Sequence, residues 1–324
     1  METRAIGRSQ LRASVVGLGC NNFGIFQDRA QAMAVVHKAL DVGITFFDMA
    51  AEHGQGLEES LVADALGPRR KDVIIATKFG QAELLGVGAD GGLQMSSDKT
   101  RQGASRRWIM QAVEESLKRL KSDYIDLYQP HVLDETTPRE ETLRALEDLV
   151  KEGKVRAIGE AATFAKAADL VSSLRIQEAN GWTPFVSMET HYNLLVRDAE
   201  QEIIPELRKR HMSVLPYFPL ANGLLTGKYR AGAVNPAGSR YEKLPALKGF
   251  LDPVRHLATV EKLRHFAAAR NLTMVELAIR WLLAEPVVAS VIAGATSPQQ
   301  VEQNAAAAAK TLSAADRVAL DAMR

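Results

Sequence analysis

Three charged side chains close three successive apolar runs. Asp48 follows Ile44-Thr45-Phe46-Phe47, Lys78 follows Val73-Ile74-Ile75-Ala76-Thr77, and His131 follows the run from Tyr124 to Gln129. If these runs are strands of one parallel sheet, the three groups converge at the same end of it. Such a trio suits chemistry at an oxygen atom. An alkoxide forming in a dry pocket needs a proton and a nearby positive field. Lys78 can supply the field, Asp48 can hold the ammonium in place and balance its charge, and His131 can donate a hydrogen bond to the same oxygen. A phenol five residues after Asp48 would complete the set as proton donor, but that residue is His53.

An unperturbed imidazolium titrates near ~6.5, against ~10 for a phenol. Lys78 alongside disfavours a second positive charge, so His53 is expected to be neutral at pH 7. A neutral imidazole accepts a proton from an alcohol more readily than it delivers one. That points to alcohol oxidation or a non-reductive step. Asp48, His53 and His131 could also form a set of two histidines and a carboxylate for a metal. Lys78 in the same pocket would repel a cation, so no metal is expected.

Eight short apolar runs alternate with amphipathic stretches: Val15–Leu18, Ile44–Phe47, Val73–Thr77, Ile125–Gln129, Val155–Gly159, Phe185–Met188, Ser213–Pro216 and Val287–Ile292. Unbroken apolar runs suit strands covered on both faces. Between them, Ser105 is a plausible N-cap for a helix carrying Ile109, Ala112, Val113, Ser116, Leu117 and Leu120. Pro138 opens another at its first position, with Glu140 and Glu141 in the first turn and Gly153 to end it. Residues 200–211 and 273–284 read the same way, and the Ala305–Ala309 run reads as plain helix. Eight strands alternating with helices predict a (β/α)8 TIM barrel, with residues 1–14 as an N-terminal β-hairpin cap, all in one domain spanning 1–324. A doubly wound sheet is the alternative, but no Gly-x-Gly-x-x-Gly opens a helix after the first strand. Residues 80–104 and 221–253 read as long loops of the kind that form lids or binding loops.

With 46% apolar and 24% charged residues and a formal net charge of +1, the chain reads as a soluble protein with no nucleic-acid partner. No stretch approaches the ~20 apolar residues of a membrane span, and no signal-peptide core opens the chain. The lone Cys20 fits a reducing compartment. The expected location is cytoplasmic and the expected partner a small-molecule substrate.

The motifs resemble the aldo-keto reductase family along nearly the whole chain. Gly43-Ile44-Thr45-Phe46-Phe47-Asp48-Met49-Ala50 with Gly54-Gln55-Gly56-Leu57-Glu58-Glu59, the Lys78 run, Asp126-Leu127-Tyr128-Gln129-Pro130-His131, Tyr192-Asn193, Leu215 to Leu220, Gly223 to Lys228 and Gly294 to Pro298 follow in the family's order. The resemblance implies a barrel that binds NADP or NAD across its C-terminal mouth and interconverts carbonyls and alcohols on a small polar or sugar-like substrate. It makes Asp48, His53, Lys78 and His131 the catalytic set, with His53 at the position of the family's proton-donating tyrosine. It assigns the cofactor to Glu189, Tyr217, Phe218, Pro219, Leu220, Asn222, Lys228 and Arg240, and its adenosine end to Gly294, Thr296, Gln300, Gln303 and Asn304. Two departures stand out. Ala161-Ala162 replace the family's Ser-Asn clasp for the carboxamide, with Thr163 nearby but able to substitute only if the backbone shifts, and Glu189 replaces a glutamine.

Overall fold

The computed structural model describes residues 1–88, 92–163, 165–230, 236, 239–245, 248, 251–309 and 311–323. Gly232 and Gly238 of the long segment 221–253 lie outside them. The strands are β1 (Thr3–Ala5), β2 (Arg12–Ser14), β3 (Val16–Gly19), β4 (Phe46–Asp48), β5 (Ile74–Phe79), β6 (Leu84–Val87), β7 (Leu93–Met95), β8 (Ile125–Pro130), β9 (Val155–Ile158), β10 (Ser187–His191), β11 (Ser213–Tyr217) and β12 (Val291–Gly294). The helices are α1 (Arg29–Asp41), α2 (Leu57–Leu66), α3 (Arg106–Leu120), α4 (Arg139–Lys151), α5 (Ala167–Asn180), α6 (Ile203–Arg210), α7 (Arg240–Lys243), α8 (Pro253–Ala268), α9 (Met274–Leu283), α10 (Pro298–Ala306) and α11 (Ala314–Asp321).

Six strands pair in parallel in the order β12-β3-β4-β5-β8-β9, and β10 pairs in parallel with β11. Backbone bonds at two seams close the ring. At one, Val186 N–H reaches Ile158 C=O at 2.9 Å and Glu189 N–H reaches Glu160 C=O at 2.8 Å; at the other, Val214 N–H reaches Val287 C=O at 2.8 Å. These seams explain where the expected strands shift. The sixth run pairs only from Ser187 and extends to His191, and the eighth pairs only from Val291, because Val288 makes an isolated bridge to Val214.

Side-chain alternation sets what faces the barrel interior. Phe46, Ile74, Ala76, Leu127, Ala157, Leu215 and Ile292 pack together inside, joined by Ile6 and Ala13 of the antiparallel β1–β2 hairpin. The hairpin therefore plugs the end from which the strands start. Two residues further along the inward rows stand Asp48 after Phe46, Lys78 after Ala76, Gln129 after Leu127 and Tyr217 after Leu215. The same alternation that fills the core delivers polar groups to the opposite mouth. The outward rows pack under the helices as a second, larger apolar layer.

The helix starts follow the capping expectations closely. Ser105 caps α3 and Thr273 caps α9 with a reciprocal bond from Glu276. Pro138 differs: it is the N-cap of α4, with φ −54° and ψ 125°, so helical geometry starts one residue later at Arg139. Ala305–Ala306 finish α10 and Ala307–Ala309 tighten into a 3-10 turn. The segment 80–104 is more than a loop, since β6 and β7 pair antiparallel within it.

Candidate active site

The turn between β4 and α2 positions His53. Gly54, Gln55 and Gly56 all have positive φ (55°, 57° and 81°), which reverses the chain in three residues. Glycine takes this conformation at no steric cost, and a Cβ at Gly56 would also meet Arg119 Cδ at 2.5 Å. The reversal starts α2 at Leu57 and lays Glu58, in its first turn, back onto His53. His53 Nδ1 lies 2.6 Å from Glu58 Oε2, and Glu58 is fully buried. The neighbouring Glu59 anchors the turn from behind, accepting from Thr77 Oγ1 and Arg119 Nε at 2.7 Å each.

Lys78 sits at the centre of a buried charge cluster. Its ammonium donates to Asp48 Oδ1 at 2.6 Å and to Met49 C=O at 3.1 Å, and lies 3.2 Å from Glu189 Oε1. Glu189 also accepts from Gln129 Nε2 at 2.6 Å. One ammonium between two carboxylates would leave a net buried negative charge. Burial and the Asp48 charge push Glu189 up to about 8, and Lys78 only partly opposes them. Glu189 is thus biased toward its protonated form, which lessens the buried negative charge around Lys78. Burial pulls Lys78 down, but Asp48 and Glu189 outweigh it and raise it, so it stays an ammonium.

His131 follows β8, its N–H held by Phe79 C=O at 2.8 Å. Its Nδ1 is in a short contact with Glu52 Oε1. Burial opposes the charge on Glu52, but His131 and, less strongly, His53 outweigh it and hold Glu52 below the usual carboxylate range. The two imidazoles lie edge to face, 6.0 Å between centroids at 74°. Each has Nδ1 on a carboxylate, which leaves Nε2 as the nitrogen available to a ligand.

The four residues chosen from the sequence do come together, but the balance of influences on His53 differs from the one expected. Burial lowers its affinity for a proton; the charge and hydrogen bond of Glu58, with help from Glu52, outweigh both burial and Lys78 and raise it. The neutral imidazole followed from considering Lys78 alone. Glu58 and Glu52 were missed because they read as ordinary letters of a helix start. The available signal was the five-residue spacing from His53 to Glu58 across a turn with two glycines. Among the described residues, no group of His, Cys, Asp and Glu is arranged to hold a metal ion.

The opposite wall is aromatic. Tyr217 stacks on His191 at 5.4 Å and 20°, and Phe218 meets both rings edge-on. Burial and the Glu189 charge push Tyr217 up to about 12, so it keeps its proton. Burial pulls His191 down to about 4, so it is neutral; nothing in the spacing had singled it out. Phe218 has φ 50°, and Asn193 Nδ2 secures that peptide by donating to its carbonyl at 2.9 Å. Pro219 is buried and Leu220 leads into the turn holding Asn222. The Asn222 amide lies beside Tyr241 but meets no protein group in good hydrogen-bond geometry.

Arg240 lies over the Phe218 ring at 5.6 Å, and its Nε is buried without a partner. Burial lowers Arg240, and burial together with Arg240 lowers the more exposed Lys228. Among the described residues neither cation is paired with a carboxylate. Gly294 ends β12; Asn304 donates to its carbonyl at 3.3 Å, while Gln300 folds back onto Thr296 N at 2.9 Å and Gln303 is exposed. Thr163 faces the His131 carbonyl: its N–H donates to that oxygen at 3.1 Å, and its hydroxyl lies 3.5 Å from it.

Glu189 carries a pH prediction. Its carboxyl is raised to about 8 in the folded chain, against 4.5 as the ordinary value. Its contribution to stability is therefore full below about pH 4.5 and is lost as the pH rises through 8. Glu189→Gln removes that titration. Urea midpoints measured at pH 5 and pH 9 should lie closer together in the variant than in the parent, and an unchanged gap would contradict the charge balance described here.

The Aldo/keto reductase family profile matches residues 15–324. The uncharacterized oxidoreductase YqkF of Bacillus subtilis (strain 168) is 34% identical over 311 residues, covering 95% of this chain and 91% of that protein. The L-glyceraldehyde 3-phosphate reductase of Escherichia coli (strain K12) is 31% identical over 315 residues, covering 94% of this chain and 86% of that one. The solved structure of the aldo-keto reductase AKR11C1 from Bacillus halodurans (holo form) superposes with a TM-score of 0.77 at 31% identity, covering 100% of this chain and 96% of that chain. The chain belongs to the aldo-keto reductase family, and it is an aldo-keto reductase-like oxidoreductase with the TIM-barrel fold. Among the described residues, no helix is long and apolar enough to cross a membrane.

Proposed function

We propose that this barrel, acting as one domain in the cytoplasm, reduces the carbonyl of a small polar or sugar-like aldehyde to an alcohol with NADPH or NADH, His53 serving as the acid. One observation carries the reading: the Lys78–Asp48 pair at 2.6 Å stands beside an imidazole whose Nδ1 is held by a buried carboxylate at 2.6 Å. The relative named for L-glyceraldehyde 3-phosphate supports a polar aldehyde as the substrate class.

When bound, a nicotinamide dinucleotide supplies the hydride. The rest is the work of side chains. His53 Nε2–H donates to the carbonyl oxygen and gives up its proton as the alkoxide forms. Lys78, kept charged by Asp48, stabilises the developing negative charge in a site with little water. His131, oriented by Glu52, holds the same oxygen from the other side. Tyr217 offers a flat ring face for stacking. Lys228 and Arg240 offer two cations without a counterion among the described residues, and the orphaned Arg240 Nε fits a phosphate oxygen. The last strand-to-helix turn, with Gly294, Thr296, Gln300, Gln303 and Asn304, would take the adenosine end.

The test is a titration of tryptophan fluorescence with each dinucleotide. Lys228→Ala and Arg240→Ala are each expected to weaken NADPH by about 1.5–3 kcal/mol, roughly tenfold to a hundredfold. An equal loss for NADH would assign the pair to the pyrophosphate, and a loss confined to NADPH would assign it to the ribose phosphate. Unchanged affinity for both would remove these residues from the cofactor site.

A further inference from the structure

We propose that Glu58 is the positioning residue of this reaction: its buried carboxylate takes the Nδ1–H of His53, fixes the ring, and leaves Nε2 as the atom that exchanges a proton with the substrate oxygen. The inference rests on the acid role of His53 and extends it to a residue that touches neither substrate nor cofactor.

The geometry is specific. Glu58 Oε2 lies 2.6 Å from Nδ1, and the carboxylate is wholly buried, with Oε1 meeting no protein partner. A buried carboxylate with one hydrogen bond is costly unless that bond is charge-assisted. Few other groups could serve it. Asp48 from β4 repels it, Lys78 from β5 attracts it at longer range, and the buried Cys20 thiol after β3 lies near without bonding to it. His53 in turn faces Glu58 from α2, Glu52 from its own turn, Lys78 from β5 and the His131 ring after β8. Glu58 is thus the only carboxylate among the described residues that bonds to this ring.

Two consequences follow. A carboxylate on Nδ1 selects the tautomer in which Nδ1 carries hydrogen, so Nε2 is a donor when the ring is charged and an acceptor when it is not. The same carboxylate also stabilises the imidazolium, although burial pushes Glu58 itself up to about 7, so the pair shares protons across the neutral range. In reduction, the Nε2–H bond breaks, the O–H bond of the alcohol forms, and the hydride from the nicotinamide dinucleotide ends on the carbonyl carbon. His53 is left neutral, its Nδ1–H still on Glu58, and solvent restores the Nε2 proton.

The experiment uses the whole protein with 13C-labelled histidine Cε1, titrated by NMR without any substrate, alongside pH–rate profiles. Glu58→Gln should lower the His53 midpoint by about one pH unit or more and move the corresponding limb of the kcat profile with it. Glu58→Asp, which keeps a carboxylate, should retain most of the raised midpoint; it also serves if the Gln variant melts too low to study. In a His53→Tyr background, Glu58→Gln should alter neither limb, since no imidazole remains to be held. An unchanged His53 midpoint in Glu58→Gln, or an equal effect of that change in the His53→Tyr background, would overturn the proposal. A parent protein with no dinucleotide-dependent turnover would instead sink the reductase reading and leave the NMR result to stand or fall alone.

Discussion

His53→Ala should lower kcat for aldehyde reduction by about 10²–10⁴-fold, the usual worth of a positioned general acid. The side chain keeps 21% of its surface exposed, so its loss costs less packing than that of a core residue. Glu58 is then a buried carboxylate with no hydrogen-bond partner, and its rise to about 7 should grow, since His53 is what holds it down. The fold is expected to survive with a modest loss of stability. Steady-state kinetics on a short polar aldehyde should show the drop in kcat with little change in dinucleotide affinity. A variant that retains parental kcat would show that the proton comes from elsewhere.

Lys78→Met should cost more, because the same ammonium serves both chemistry and folding. It is the sole cation among the described groups bonded to Asp48 and Glu189, both buried. Removing one member of a buried ion pair typically costs about 3–5 kcal/mol, since the partner charge is stranded. Glu189 softens this by its bias toward the protonated form, which leaves Asp48 as the main stranded charge. The positive field at the reacting oxygen also disappears, a loss of about 10²–10³-fold in kcat by analogy with other preorganised donors. Denaturant unfolding and turnover at matched stability separate the two effects. Asp48→Asn with Lys78→Met should recover stability without activity, because no buried charge then lacks a partner. Failure of that double variant to recover stability would mean that the pair does more than balance itself.

Much of the architecture was legible because apolar periodicity and capping act locally. The runs ending at Asp48, Lys78 and His131 had to be covered strands, and strand parity alone puts Phe46 with Asp48 and Ala76 with Lys78 on the inward rows. Ser105 and Thr273 cap their helices as their residue types require. The misplacements fall where pairing is not local. The strands near Phe185 and Val287 shift because their neighbours at the barrel seams decide which residues pair. The site was legible in its residue types but not in its protonation. Lys78 alone would lower the proton affinity of His53; the turn at 54–56 brings Glu58 under the ring and raises it instead. Glu189 reads as a charged acceptor until its burial and the neighbouring Asp48 are seen to raise its pKa against the pull of Lys78. The surroundings of Glu189 depend on contacts between elements that no spacing rule specifies, whereas His53 and Glu58 are five residues apart and meet across one turn.

The most direct test of the central claim is product analysis. Parent and His53→Ala proteins are incubated with NADPH and glyceraldehyde while absorbance at 340 nm and alcohol formation are followed together. The account predicts one glycerol formed per dinucleotide oxidised by the parent, and a rate at least ~10²-fold lower in the variant. Aldehyde converted without dinucleotide oxidation, or undiminished one-to-one turnover in the variant, would contradict it.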